Sequence, residues 1–468
     1  VSSRRRPSLV RSRTRILQRP GQVLVAGFAA AIAIGTLLLM LPIAVVDAPP
    51  AGALPAPLNA AGGAPAVVAL FTATSAVCVT GLVVVDTPTY WSAFGEVVIL
   101  VLIQFGGLGI MTFASLLSIL LARRLGLRSR LVASASVRTL GVADMKSVLL
   151  GVAKVSFGVE AAVALILTAR RIVGDDAGMG EAAWFGVFHA VSAFNNAGFA
   201  LFSDSLMGFV SDPWVCVPIM TAIVIGGLGF PVLFELRRQV RFPRRWSMHT
   251  KLVVIGTVVL LVVGTVTITA QEWTNPDTLG PLSVGQKLLA GGFAAVSART
   301  AGFNTLDIAA MHTQTWFTHD VLMFIGGGPA GTAGGLKITT FAVLLFIIVT
   351  EVRGGTAVNI LGRRIGRSVH REATTVALLA VAAVLACTWL LLVGTPFSLD
   401  QILFESISAF ATVGLSTGIT HLLPPTAQLL LVVMMFIGRL GPLALASALA
   451  LRARAAMIEL PKERPLIG

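Results

Sequence analysis

The chain alternates long apolar runs with short basic segments. Eight runs, at 22–46, 95–121, 147–169, 213–236, 251–271, 317–350, 373–394 and 426–451, predict spanning helices. A helix rises about 1.5 Å per residue, so about 20 apolar residues cross the roughly 30 Å of hydrocarbon in a bilayer. Within each successive pair of runs lies a shorter apolar stretch broken by glycine, near 65–80, 184–197, 286–301 and 400–413. Such stretches are too short to cross and too apolar for a solvent loop, which predicts re-entrant segments. An even number of spans puts both termini on one side.

Composition closes off the soluble alternatives. Of 468 residues, 56% are hydrophobic and 12% charged, against about 25% charged in an ordinary soluble domain. The net charge of +14 raises the question of nucleic acid, but the basic residues cap the ends of apolar runs instead of lining one groove. They gather between pairs of runs: Arg123, Arg124, Arg128 and Arg130; Arg237, Arg238, Arg241, Arg244 and Arg245; Arg353, Arg363, Arg364, Arg367 and Arg371. Residues 46–95 and 395–425 contain no lysine or arginine, while Asp47, Asp86 and Asp400 fall there. The positive-inside rule then makes the termini and the inter-pair loops cytoplasmic. Arg170 and Arg171 are exceptions to it. The basic tail at Arg4, Arg5, Arg6, Arg11, Arg13, Arg15 and Arg19 precedes a run too long for a signal peptide. Cys78, Cys216 and Cys387 stand singly, and the six histidines are dispersed, so neither a disulfide framework nor a zinc site is expected.

The re-entrant stretches share a pattern. Phe71, Ser75-Ala76 and Gly81-Leu82 recur as Phe188, Ser192-Ala193 and Gly198-Phe199, as Phe293, Ser297-Ala298 and Gly302-Phe303, and as Phe404, Ser408-Ala409 and Gly414-Leu415; the third copy is one residue shorter. Each is followed 24 to 28 residues later by a second cluster, beginning at Gly106, Gly226, Gly326 and Gly438. Small residues alone are common at helix contacts in membranes, but the shared phase of both signals means one unit used four times. The predicted division is a basic cytoplasmic tail at 1–21, repeats at 22–125, 140–240, 250–352 and 370–452, and a cytoplasmic tail at 453–468.

Four units around an axis leave a central path. A short helix that descends and returns as extended chain can present carbonyls to that path, replacing the hydration shell of a monovalent cation. The negative helix ends favour a cation there and disfavour an anion. Glycine at positions 81, 198, 302 and 414 permits backbone angles that a side chain resists. Four glycines, with no serine among them, predict preference for potassium over sodium.

On these turns, on 326–337 and on Glu463-Arg464-Pro465, the chain from about residue 22 onward resembles the Trk/Ktr/HKT superfamily of potassium transporters, in particular Ktr-type membrane subunits. The resemblance implies an all-α polytopic membrane protein of four M1-P-M2 repeats (helix, re-entrant pore loop, helix), eight transmembrane helices, in the cytoplasmic membrane. The ion-binding turns would be Cys78, Val79, Thr80 and Gly81; Asn195, Asn196, Ala197 and Gly198; Arg299, Thr300, Ala301 and Gly302; and Ala411, Thr412, Val413 and Gly414. Arg299 has a second reading as a helix-cap or ion-pair residue. The resemblance also implies an intramembrane gating loop of Gly326, Gly327, Gly328, Pro329, Ala330, Gly331, Thr332, Ala333, Gly334, Gly335 and Lys337, met by Arg439 as a positive barrier. Six glycines and a proline make a poor helix there, and an intramembrane arginine is a functional candidate. Pro329 stands where serine is expected, a change that would stiffen the loop, and Gly331 is a second departure. The absence of a helix pair before the first repeat favours Ktr-type over TrkH-type.

Further implied are a homodimer, a cytosolic RCK-type nucleotide-binding ring as regulatory partner, surrounding lipid, potassium as the ion carried and sodium as a candidate co-ion. No nucleotide is expected on this chain: Leu336 separates glycine from Lys337 and Ile338 follows it, which breaks the phosphate-binding loop pattern. Two alternatives remain, an inverted-repeat secondary transporter and a polytopic membrane enzyme. The parallel direction of the repeats opposes the first, and the lack of clustered His, Cys, Asp or Glu opposes the second.

Overall fold

The computed structural model describes residues 20–46, 62–124, 142–355 and 357–441. Most of the predicted N-terminal tail, Arg128 and Arg130, the end of the fourth repeat and the C-terminal tail with Glu463-Arg464-Pro465 lie outside the described residues. The first repeat comprises α1 (Pro20–Leu39), α2 (Ala66–Val77) and α3 (Ala93–Arg124). The second comprises α4 (Val142–Asp175), α5 (Met179–Phe194), α6 (Pro213–Leu228) and α7 (Phe230–Gln239). The third has α8 (Met248–Glu272), α9 (Val284–Ser297), α10 (Thr313–Phe324) and α11 (Ile338–Val352). The fourth has α12 (Arg367–Gly394), α13 (Leu399–Ala411) and α14 (Pro425–Leu440). A two-residue hairpin pairs Asn359–Ile360 with Arg363–Arg364 between the third and fourth repeats.

The short helices α2, α5, α9 and α13 match the four predicted re-entrant stretches, and each lies beside the first helix of its own repeat. Their inner turns are fully buried, as at Phe71, Phe188, Phe293 and Phe404. Each second helix also packs on the re-entrant helix of the following repeat: α3 on α5, α6 on α9, α10 on α13, and α14 on α2. The last contact joins the fourth repeat to the first and closes the ring. Outside it, α8 exposes Val258, Val259, Val262, Val263 and Val266, and α12 exposes Leu378, Leu385, Trp389 and Val393, an apolar belt suited to lipid.

Two expected spans are broken. The run at 213–236 bends by 103° between α6 and α7, because Gly229 adopts φ +88° and a proline begins the next helix. The run at 317–350 stops at Phe324, crosses an irregular segment and resumes at Ile338. Among the described residues four helices are individually long and apolar enough to cross a membrane, and a fifth if the bent pair is one span. The break in the third repeat leaves α10 and α11 at 12 and 15 residues, which is tolerable where the non-helical chain between them is buried in protein.

Arg170 and Arg171, which defied the charge rule, are internally compensated. Arg170 Nε lies 2.6 Å from Asp212 Oδ2 and Arg171 Nη1 2.6 Å from Asp175 Oδ2. The Arg171 guanidinium also sits 5.3 to 5.9 Å from the rings of Phe185, Phe202 and Phe209. They brace one end of repeat two. The three cysteines are buried and unpaired.

The second glycine clusters make the ring possible. A Cβ built on Gly106, Gly226 or Gly438 would fall within 2.0, 2.0 or 1.7 Å of the carbonyl oxygen of Val77, Phe194 or Phe410. In the first, second and fourth repeats the second helix therefore presses directly on the end of its own re-entrant helix, while in the third Gly326 abuts Gly334 of the irregular segment. Gly438→Ala is expected to lower stability by at least about 2 kcal/mol, the scale of overpacking, while Gly27→Ala, with open space around it, is expected to be neutral. Thermal unfolding of both variants in detergent checks this; equal midpoints would refute the close contact.

Candidate functional site

Where α2, α5, α9 and α13 end, the chain turns back in the same way four times. Two residues before each glycine the backbone is left-handed, at Val79, Asn196, Thr300 and Thr412 (φ +56°, +59°, +79° and +50°). The glycines themselves have φ +89°, +71°, +81° and +98° at positions 81, 198, 302 and 414. The residue between is not left-handed in any of the four, and such alternation aims successive carbonyls to one side of the strand.

The four turns meet. A Cβ on Gly81 would lie 2.4 Å from the carbonyl oxygen of Ala197, one on Gly198 2.7 Å from that of Ala301, one on Gly302 2.3 Å from that of Val413, and one on Gly414 2.1 Å from that of Thr80. Each glycine thus abuts the carbonyl preceding the next glycine, and the series returns to its start. All four predicted glycines are brought together around one axis. No side chain fits at any of them without moving backbone.

The serine of each Ser-Ala pair secures its turn. Ser75 and Ser408 accept from the backbone N–H of Gly81 and Gly414 at 3.0 and 3.1 Å. Ser192 donates to the Phe199 carbonyl at 2.8 Å, and Ser297 to that of Phe303. Backbone bonds reach back five residues in three turns, from Thr80, Ala197 and Val413 to Ser75, Ser192 and Ser408, but four in the third, from Ala301 to Ser297. That accounts for the missing residue in the third copy.

On one side the ring opens into a cavity of about 360 Å³ lined by the four glycines and by Asp86, Asp204, Asp307 and His421. Partial burial keeps the pKa of the His421 imidazole below its ordinary value, and the lining holds three aspartates with no lysine or arginine. Among the described residues no group of three or more His, Cys, Asp or Glu could hold a metal. The polar atoms that the ring glycines abut are the backbone carbonyl oxygens of Ala197, Ala301, Val413 and Thr80.

Beneath the ring runs the irregular segment between α10 and α11. Thr332 Oγ1 lies 3.0 Å from Asn196 Oδ1 and 3.2 Å from the Phe194 carbonyl, and Gly334 abuts Ala411 and Thr412. The Arg439 guanidinium donates to the Thr332 carbonyl, and its Nη2 to the Gly106 carbonyl at 3.2 Å. Lys337 Nζ donates to the carbonyls of Ala333 and Gly334 at 2.6 and 3.3 Å. Pro329 and Ala330 pack into the break after α6: a Cβ on Gly229 would meet the Pro329 carbonyl at 2.3 Å, and Phe230 N–H donates to the Ala330 carbonyl. Gly328 N–H bonds to Gly227. Arg299, Arg439 and Lys337 have no carboxylate partner among the described residues; carbonyl dipoles hold them instead.

A model of the TrkH family, described as cation transport protein, matches residues 56–459. The chain belongs to the TrkH family. It is 40% identical to the Ktr system potassium uptake protein B of Bacillus subtilis over 428 residues, 91% of each chain. It is 37% identical to the protein of the same name from Vibrio alginolyticus, over 90% of this chain and 92% of that one. Identity to the Potassium/sodium uptake protein NtpJ of Enterococcus hirae is 30%, over 98% and 100% of the two chains. The fold is similar to the crystal structure of the potassium transporter TrkH from Vibrio parahaemolyticus, with TM-score 0.70, 16% identity and coverage of 96% and 87%.

Within this TrkH-family fold, not every expected residue faces the axis with its side chain. Cys78, Val79, Ala301, Ala411 and Val413 are fully buried. Among the described residues Arg299 makes no ion pair; its Nη2 reaches the Gly326 carbonyl at 3.1 Å, at the start of the irregular segment. Asn195 turns away to a cluster that sequence reasoning missed. Its Nδ2 donates to Gln104 Oε1 at 2.8 Å, and Gln104 Nε2 donates to Glu160 at 3.1 Å. A carboxyl in the middle of an apolar run, as at Glu160, was the available signal. Glu160→Leu leaves the half-buried Gln104 amide and the buried Asn195 amide without this acceptor and is expected to cost about 1–3 kcal/mol, with Glu160→Gln costing less; chemical denaturation in detergent measures the difference, and equal losses would mean the cluster is not a hydrogen-bonded unit.

Proposed function

We propose that this chain carries potassium into the cell across the cytoplasmic membrane, through a selectivity filter formed by the turns ending at Gly81, Gly198, Gly302 and Gly414. The closed ring of left-handed glycine turns is the observation that carries the reading. Carbonyl oxygens beside the ring replace water around a dehydrated cation. The vestibule with Asp86, Asp204 and Asp307 faces outward and concentrates cations at the entrance. The basic inter-repeat segments lie on the cytoplasmic side. The relatives named as potassium uptake proteins support potassium as cargo, and the relative named for potassium and sodium supports sodium as co-ion.

The segment from Gly326 to Lys337 is the gate. It lies against residues that precede the filter glycines, and buried Arg439 ties it to the first repeat while placing positive charge near the path. Opening requires the Arg439 contacts to exchange for others. Relatives belonging to a named Ktr system support a separate regulatory component, which we assign as a cytosolic RCK-type nucleotide-binding ring acting on a homodimer of this chain.

Purified protein in liposomes is expected to take up potassium in preference to sodium. Gly198→Ser, which places a side chain against the Ala301 carbonyl, is expected to reduce that preference about tenfold or more, the effect of roughly 1.4 kcal/mol; retained preference would remove Gly198 from the filter. Arg439→Ala is expected to raise the uptake rate several-fold by weakening the barrier, and flux unchanged across potassium concentrations would argue against a gate there.

A further inference from the structure

The residue after the recurring phenylalanine of each re-entrant helix is Thr72, His189, Ala294 or Glu405. In two repeats this position reaches across to the chain leaving the ring. Leu201 N–H, three residues past Gly198, lies 3.4 Å from His189 Nε2. Thr417 N–H, three residues past Gly414, lies 3.1 Å from Glu405 Oε1. The register is identical. His189 Nδ1 lies 2.9 Å from the Phe185 carbonyl, so that nitrogen carries the proton and Nε2 is the acceptor. Glu405 takes two further bonds from the same segment, from Ser416 Oγ and, at 2.9 Å, from Thr420 Oγ1. Both side chains are fully buried. No bond from the Thr72 side chain to the returning segment of repeat one occurs among the described residues, and Ala294 has none to offer.

We propose that His189 and Glu405 are positioning residues for ion selectivity, holding the outer mouth of the second and fourth filter turns while the first and third lack this support. The second and fourth turns lie opposite each other, since the ring runs 81, 198, 302, 414. The fourfold filter therefore has a twofold scaffold. A buried acceptor bonded to a main-chain N–H fixes the strand direction just beyond the glycine, and small displacements there change the size of the carbonyl ring. Neither residue touches the ion. The inference rests on the filter reading above.

The test is the potassium-to-sodium uptake ratio, per folded molecule, of full-length protein in liposomes. Glu405→Ala is expected to lower the ratio about tenfold, the scale of losing buried hydrogen bonds, and His189→Ala to lower it less. Glu405→Gln, which keeps an acceptor for Thr417 N–H, is expected to restore most of the ratio. Thr72→Ala, at the matching unsupported position, is expected to leave it unchanged. Reduced folded yield or flux with an unaltered ratio in Glu405→Ala and His189→Ala would overturn the proposal in favour of a purely structural role, as would an equal fall in Thr72→Ala. Should Glu405→Ala fail to fold, His189→Ala against Thr72→Ala decides the question. A wild-type protein that does not discriminate between the ions would sink the filter itself, an outcome distinct from a selective wild type with indifferent variants.

Discussion

Everything in this protein is arranged around a contact made by an absent group. Four glycines stand where a single methyl would strike the carbonyl of the neighbouring repeat, at 2.1 to 2.7 Å. The ring closes only because no side chain is there, and only because each glycine accepts a backbone angle that side chains resist. The serines behind the turns and the second helices pressing on the ends of the re-entrant helices all serve to hold this approach. The ring is made of main chain, and its dimensions follow from packing several residues away.

Holding two buried arginines and the half-buried Lys337 near that ring, with no carboxylate partner for any of them among the described residues, is the second constraint. Isolated charges at membrane depth are strongly disfavoured. Here the compensation is backbone: Arg439, Lys337 and Arg299 each point at carbonyls of or beside the segment between α10 and α11. Carbonyls released by non-helical chain are available for this purpose, which links the irregularity of the segment to the charge it carries. A regular helix from 317 to 350 would have used those oxygens internally and left the cations unsatisfied.

Much of this was legible in the chain. The four re-entrant helices, their terminal glycines and the second glycine clusters followed from hydrophobic length and phase, because those features obey a period. The breaks were harder. Apolarity continues through Gly229 and through Ile325, so a window of hydrophobicity reads each as one span; a positive φ and a proline decide otherwise. Side-chain destinations were harder still. Arg299 sits beside the third glycine turn in sequence and reaches the irregular segment at Gly326 in space, and Asn195 turns its amide to Gln104 and Glu160 on two other helices. Such pairings depend on how repeats meet, which no single repeat records.

The handing of each second helix to the next repeat has a consequence for inheritance. Copies of a duplicated unit ordinarily diverge at will, each accumulating its own changes. Here the space beside each of the four ring glycines belongs to a different copy, so a change in one is judged by its neighbour, around to the first again. The four ring glycines are bound together in this way, even though the third copy reaches its glycine by a turn one residue shorter and breaks its second helix beneath the ring.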